Sequence, residues 1–273
     1  MNELQSLNLD ELLIKLPARK RDAHKGNFGH VLVIGGDYGY PGAPVLAALG
    51  ALRVGAGLVT VASHKDHILG LNAIHPEIMA TAIDSPTSLN TLLSKATVVV
   101  LGPGLGRSNW SEEIFQAAIN CTQPLVLDAD SLWFLAKNLK PRTNWVITPH
   151  PGEAATLLQQ TSAIIPEQRI PAIKKLIEVT KATVVLKGAG TLIGSSDTEI
   201  NICLAGNPGM ASGGMGDLLS GIIAGMLAQN LDCDNAAKLA VAIHAKAGDQ
   251  AAADGQRGML ATDLLPIIRK LME

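Results

Sequence analysis

Short, continuously apolar runs alternate along the chain with longer stretches in which apolar residues recur every three or four positions. His30–Gly36 (HVLVIGG), Leu58–Ser63 (LVTVAS), Thr97–Leu101 (TVVVL), Pro124–Asp128 (PLVLD), Trp145–Thr148 and Thr183–Lys187 (TVVLK) read as buried strands. Glu77–Ile83 is a weaker strand, and Thr191–Ser195 and Glu199–Leu204 complete the series. Helical periodicity is expected over Ala43–Val54, from about Ser111, and over Asp130–Lys137, Glu153–Gln160 and Glu167–Lys181. From Ser212 onward only helices fit, over Gly216–Gln229, Asn235–Ala253 and Thr262–Met272. Residues 1–25 read as a lead-in, with Leu9, Leu12, Leu13 and Leu16 on one face of a short helix that ends near Pro17.

Strands that are apolar throughout and alternate with helices predict an α/β fold. Its central, mostly parallel sheet has about nine strands, with helices on both faces. No Pro-, Gly- or Ser-rich linker and no fixed repeat interrupts the chain, so residues 1–273 are expected to form one domain. Composition fits that picture: 47% of residues are hydrophobic but only 3% aromatic, so the core is aliphatic. The formal charge of −2 and the few aromatics argue against a nucleic-acid binder. Cys121, Cys203 and Cys233 are scattered, which gives neither a disulfide framework nor a thiolate zinc site. No signal peptide or bilayer-length apolar helix is read, so a soluble cytoplasmic protein with no membrane partner is expected.

Ligands of such sheets bind beyond the carboxyl ends of the strands, and Gly-rich segments cluster there. Seventeen of the 27 glycines lie in or directly beside five candidate segments. Asn207–Asp217 (NPGMASGGMGD) opens an apolar helix, so bare N–H groups around Gly213, Gly214 and Gly216 and the positive helix end favour an anion such as phosphate. Asp217 falls in the first helical turn, where an acid is expected to stay ionised and serve as acceptor or base. The same spacing also suits an ordinary Gly-rich turn. It is not a Walker A loop, because Met215 stands where Lys is required. Lys187, Gly188, Ala189, Gly190 and Thr191 (KGAGT) suit either a hairpin turn or a loop that lets a phosphate or flat ligand approach the backbone. In ITPHPGE, His150 is held between two prolines and Glu153 begins a helix; this suits substrate or metal-water binding, or a common helix start. GPGLG, with Gly104 and Gly106, lacks dinucleotide-binding spacing, since Arg107 and Asn109 replace the needed glycines; Asp128 after the next strand is weak evidence alone. The glycines of Lys25–Ala43 could hold a ligand or form a plain loop. His64 and His67 read as a surface pair, and Met210, Met215, Met226 and Met259 as fillers.

Taken in order, KGNFGHVLVIGG, GPGLG, LDADSL, ITPHPGEA, VVLKGAGT and NPGMASGGMGD resemble the carbohydrate-kinase-like ADP-dependent NAD(P)H-hydrate dehydratases, over roughly residues 20–272. The resemblance implies a ribokinase-like fold. It also implies dehydration of hydrated NADH or NADPH (NADHX, NADPHX), with ADP as co-substrate in the bacterial type or ATP in the eukaryotic one. Phosphoryl transfer to the ring hydroxyl would precede elimination. It implies Asp217 as base, Gly213–Gly216 as donors to the phosphoryl group, and Lys187–Thr191 with Gly216 as nucleotide contacts. Ala43, Gly104 or Gly106, and His150 match substrate-contacting positions, and Glu153 resembles a residue that organises Mg²⁺ in related kinases, although His150 departs from that pattern. The family is often homotetrameric. Many members carry an epimerase domain for which this length leaves no room, so one epimer is the expected substrate.

Three other readings compete. A ribokinase-like small-molecule kinase, such as a hydroxyethylthiazole kinase, shares the glycines and the aspartate. A nucleotide sensor would not need Asp217. A nicotinamide dehydrogenase is disfavoured by the failed glycine spacing.

Overall fold

The computed structural model describes residues 4–161 and 167–273. Its strands are β1 (Gln5–Ser6), β2 (His30–Ile34), β3 (Leu58–Ser63), β4 (Met79–Ala82), β5 (Val98–Leu101), β6 (Leu125–Leu127), β7 (Trp145–Ile147), β8 (Thr183–Leu186), β9 (Thr191–Gly194) and β10 (Asn201–Cys203). They form one sheet in the order β1-β10-β9-β8-β7-β6-β5-β2-β3-β4. β2 to β8 run parallel, whereas β9 pairs antiparallel with both β8 and β10. The chain steps outward from β2 to β4, returns to β5 on the other side of β2, and steps outward again to β8. The reversal between β2 and β5 leaves a crevice at their carboxyl ends.

The helices are α1 (Leu9–Leu13), α2 (Gly42–Arg53), α3 (Ile68–Ile74), α4 (Pro86–Leu93), α5 (Asn109–Ala118), α6 (Asp130–Lys137), α7 (Pro151–Leu158), α8 (Arg169–Thr180), α9 (Met215–Ala228), α10 (Cys233–Ala251) and α11 (Leu264–Leu271). Alternate strand residues serve two cores. Val31, Val33, Val98, Val100, Val126 and Val146 meet α2, α9, α10 and α11. Leu32, Ile34, Leu101, Leu127, Trp145 and Ile147 meet α4 to α8. Both sheet faces are therefore dry, which is why the strands lack a polar face.

Helix α9 lies against α2 closely enough that a Cβ on Gly221 would run into the Ala47 carbonyl oxygen, and one on Gly225 would stand 2.8 Å from the Ala51 oxygen. That packing sets the axis of α9 and so aims its N-terminus.

Among the described residues ten strands stand where about nine were expected. The added β1 lies inside the supposed lead-in, pairing parallel with β10 through Gln5 and Ser6, both exposed. Two polar residues carry no periodicity; backbone pairing alone makes them a strand. α3 and α4 were also outside the sequence expectation. The start of α4 does carry a local signal, with Ser85 and Ser88 forming a capping box before and after Pro86. His64 and His67 are not a free surface pair, since the Tyr38 ring packs 4.0 Å from His64 and 5.9 Å from His67.

Candidate active site

Gly214 caps α9 at φ 88°, a left-handed conformation that glycine adopts without strain. The first-turn N–H groups of Met215, Gly216 and Asp217 then have no intrahelical acceptor, and the space in front of Gly213 is open. A helix start of this kind suits an anion. A Cβ on Gly216 would stand 3.3 Å from Lys187 Nζ and 3.7 Å from Asp128 Oδ2, so the bare backbone lets the helix start close over that pair.

Asp128 ends β6, is 1% exposed, and accepts hydrogen bonds from Lys187 Nζ at 2.8 Å and from the Ser220 hydroxyl of α9. Lys187 follows β8 and also stands 3.7 Å from Glu153 Oε2. Burial alone would raise the Asp128 carboxyl, but Lys187 and Ser220 hold it below the ordinary range. Burial opposes the charge on Lys187, yet Asp128 and Glu153 together raise its pKa. The pair is thus fixed as ammonium and carboxylate.

Two neighbouring acids behave differently. Burial pushes Asp217 up to about 7, with Asp128 adding to the shift against Lys187. Burial likewise pushes Glu153 up to about 7, opposed by Lys187. The first-turn position led us to expect an ionised acid; loss of water and the nearby carboxylate act against that charge.

His150 caps α7. Its Nδ1 accepts from the N–H groups of Gly152 at 3.0 Å and Glu153 at 3.3 Å, while Glu153 Oε2 accepts from the His150 N–H at 2.7 Å. The helix-start reading of PHPGE is correct locally, and the same pair faces the cluster. Burial and Lys187 lower the His150 pKa, so with Nδ1 occupied as acceptor the neutral ring carries its proton on Nε2, 3.5 Å from Glu153 Oε1.

A cavity of about 570 Å³ opens over Lys187–Thr191 and reaches Ser212, Gly216 and His244. KGAGT is both the β8–β9 hairpin turn and the cavity floor. Arg169, at the start of α8, holds this turn by donating to the carbonyls of Leu186 at 3.0 Å and of Ala189. Gly213 and Gly214 adjoin the cavity without lining it. A second cavity of about 330 Å³ is bounded by Arg107, Asp130, Trp133 and Glu153. His150 stands in the wall of both.

Ala43 and Gly104 meet at the β2–β5 crevice, outside both cavities, where a Cβ on Gly104 would lie 3.1 Å from that of Ala43. The two loops are tied by Asp37 N–H to the Gly104 carbonyl at 2.7 Å. The Gly106 N–H donates to Asp130 Oδ2 at 3.0 Å, which links that turn to the second cavity. Sequence reasoning missed Arg169, Asp37, Asp130, Ser220 and His244. It gave Asp128 little weight. One signal was structural: Ala129, between Asp128 and Asp130, sits at φ 49°, a strained conformation for a non-glycine residue that costs about 1–3 kcal/mol.

Among the described residues no three His, Cys, Asp or Glu side chains converge as a metal cage. Mg²⁺ bound by one or two carboxylates plus substrate phosphates needs no such cage, and Glu153 beside the anion site fits that donor set. No described helix is long and apolar enough to cross a membrane.

A helix start with free first-turn N–H groups above a Lys–Asp pair, at the carboxyl edge of a sheet wound in this order, defines a ribokinase-like α/β protein. Residues 31–270 match the family described as NAD(P)H-hydrate dehydratase, and the chain belongs to that family. It is 39% identical to the ADP-dependent (S)-NAD(P)H-hydrate dehydratase of Neisseria meningitidis, covering 93% of this chain and 88% of that one. It is 50% identical to the bifunctional NAD(P)H-hydrate repair enzyme of Coxiella burnetii over 94% of this chain and 53% of that protein. The chain spans about half the length of the bifunctional relatives it matches. The ADP/ATP-dependent NAD(P)H-hydrate dehydratase of Bacillus subtilis, co-crystallised with ATP and Mg²⁺, superposes with a TM-score of 0.87 at 27% identity, covering 100% of both chains.

Proposed function

We propose that this chain dehydrates the S epimer of NADHX and NADPHX to NADH and NADPH, consuming ADP and releasing AMP and phosphate. The observation that carries the reading is Asp217. It is a half-buried acid whose pKa is raised to about 7, in the first turn of a helix start suited to an anion, in a chain whose family relatives are named for this reaction. The KGAGT floor, with Gly213, Gly214 and Gly216, binds the nucleotide phosphates. His150, Ala43 and the Gly104–Gly106 turn contact the substrate around the β2–β5 crevice.

The Asp217 carboxylate accepts the proton of the ring hydroxyl as that oxygen attacks the terminal phosphorus of ADP. The bond from phosphorus to the AMP oxygen breaks, and the N–H groups at the α9 start with Lys187 stabilise the spreading negative charge. The ring carbon–oxygen bond then breaks, phosphate departs, and loss of a proton from the neighbouring carbon restores the ring double bond. Mg²⁺ carried by the nucleotide would neutralise phosphate charge, with Glu153 placed to hold the ion or its water. We take the described unit to be sufficient for this step. The family resemblance extends the reading to a homotetramer in the cytoplasm. The kinase alternative shares this machinery but would leave a stable phosphorylated alcohol.

Asp217→Asn tests the role of the base. We expect turnover of NADHX to fall at least about 100-fold while calorimetric affinity for Mg·ADP changes only a few-fold. Turnover like that of the unmodified protein would remove Asp217 as base.

A further inference from the structure

Helix α10 is rich in alanine, and its Val241 and Ala245 line the larger cavity together with one polar residue, His244. His244 is 8% exposed, and its Nε2 has no hydrogen-bond partner. The Ser212 hydroxyl, in the wall of the same cavity, is also unpartnered. A buried polar atom left without a partner costs about 1–3 kcal/mol, and both unmet groups belong to residues that line the same cavity. Burial, with Lys187 adding, pushes the His244 ring down to about 4, so it is uncharged under working conditions. A neutral imidazole offers one donor and one acceptor but no attraction for phosphate charge. In the functional reading the phosphates take Lys187 and the α9 start, which line the same cavity. Val241 and Ala245, beside His244, give that part of the lining an apolar character that suits a nucleoside.

We infer that His244 reads the nucleoside half of the bound nucleotide, forming with the base or ribose the hydrogen bond that no protein group supplies. This rests on the larger cavity being the nucleotide site. Bound nucleotide satisfies the ring nitrogen, so the cost carried by the free protein is recovered on binding.

The test is calorimetric titration of the full chain with Mg·ADP and with magnesium pyrophosphate, which has the phosphates and no nucleoside. His244→Leu is expected to weaken Mg·ADP binding about five- to tenfold, the size of one neutral hydrogen bond, and to leave pyrophosphate binding within about twofold. His244→Asn, which keeps a donor and an acceptor, is expected to lose less. The melting temperature of nucleotide-free His244→Leu is expected to be equal or higher, because an unpaired polar group is removed. Titrations with GDP and 2′-deoxy-ADP place the contact: discrimination lost against GDP puts it on the base, and discrimination lost against the deoxy compound puts it on the ribose. Unchanged ADP affinity in both variants, or equal loss of ADP and pyrophosphate, overturns the inference. Failure of the unmodified protein to bind Mg·ADP overturns the functional reading along with it.

Discussion

Four charged or titrating side chains gather at this site, and they divide into a fixed pair and a titrating pair. Lys187 and Asp128 hold each other charged, while Asp217 and Glu153 are each pushed up to about 7. A base must be ionised to act, so activity is expected to rise with pH through about 7 on its acidic side. Asp128→Asn removes a carboxylate that raises Asp217 and frees Lys187, which lowers it. Both changes favour the ionised base, so the acidic limb of the kcat/KM profile is expected to move to lower pH. The same variant leaves Lys187 without its buried partner and is expected to lose about 3–5 kcal/mol of stability, read by denaturant unfolding. A limb that stays put or moves upward would show that Asp128 does not govern this base. Little of this electrostatics was legible in the sequence. PHPGE announced a capped helix start because capping is local, and the Nδ1 and Oε2 bonds of His150 and Glu153 bear it out. The Lys187–Asp128 pair joins residues 59 apart in the chain, and no spacing rule reaches that far. The raised pKa of Asp217 depends on water excluded by tertiary packing, which a sequence position does not reveal.

Elements were far more legible than charges. β3 and α6 begin and end where the apolar pattern places them, and most other boundaries shift by only one to three residues. Strands such as Val98–Leu101 are almost wholly β-branched or leucine and are dry on both faces, so their signal is strong. β1 escapes because it has no side-chain signal, and α3 because its seven residues bury only Leu71. The aim of α9 depends on glycines inside the helix, Gly221 and Gly225, that let α2 approach closely. Gly221 is a contact surface: Gly221→Ala would drive a methyl into the Ala47 carbonyl. It is expected to destabilise the fold by about 1–3 kcal/mol, overpacking outweighing the helix propensity gained. Gly70 on α3 has nothing within 4 Å of the corresponding position. Gly70→Ala is expected to stabilise by up to about 1 kcal/mol. Thermal melts of the two variants read the opposite signs. A Gly221→Ala protein as stable as the parent would mean that α2 and α9 are not in this close contact.

Across the whole molecule the sheet order does the assembling. Reversal between β2 and β5 gathers the loops after β2, β5, β6, β7 and β8 at one edge, and α9, packed on the same sheet, delivers its N-terminus there. The segments that carry the family resemblance are spread over nearly the whole sequence and meet only in this arrangement. Glycine clusters made the cleft visible from the sequence; its division into a larger cavity over KGAGT and a smaller one beside Trp133, with His150 between, required the fold. The central claim is that this cleft returns hydrated nicotinamide cofactor to use. Purified protein incubated with S-NADHX, ADP and Mg²⁺ tests it most directly, by following the near-ultraviolet absorbance of the reduced ring and the AMP and phosphate formed. The account predicts recovery of that absorbance with one AMP and one phosphate for each NADH. No recovery with either ADP or ATP, or a phosphorylated hydrate that persists as product, would contradict it.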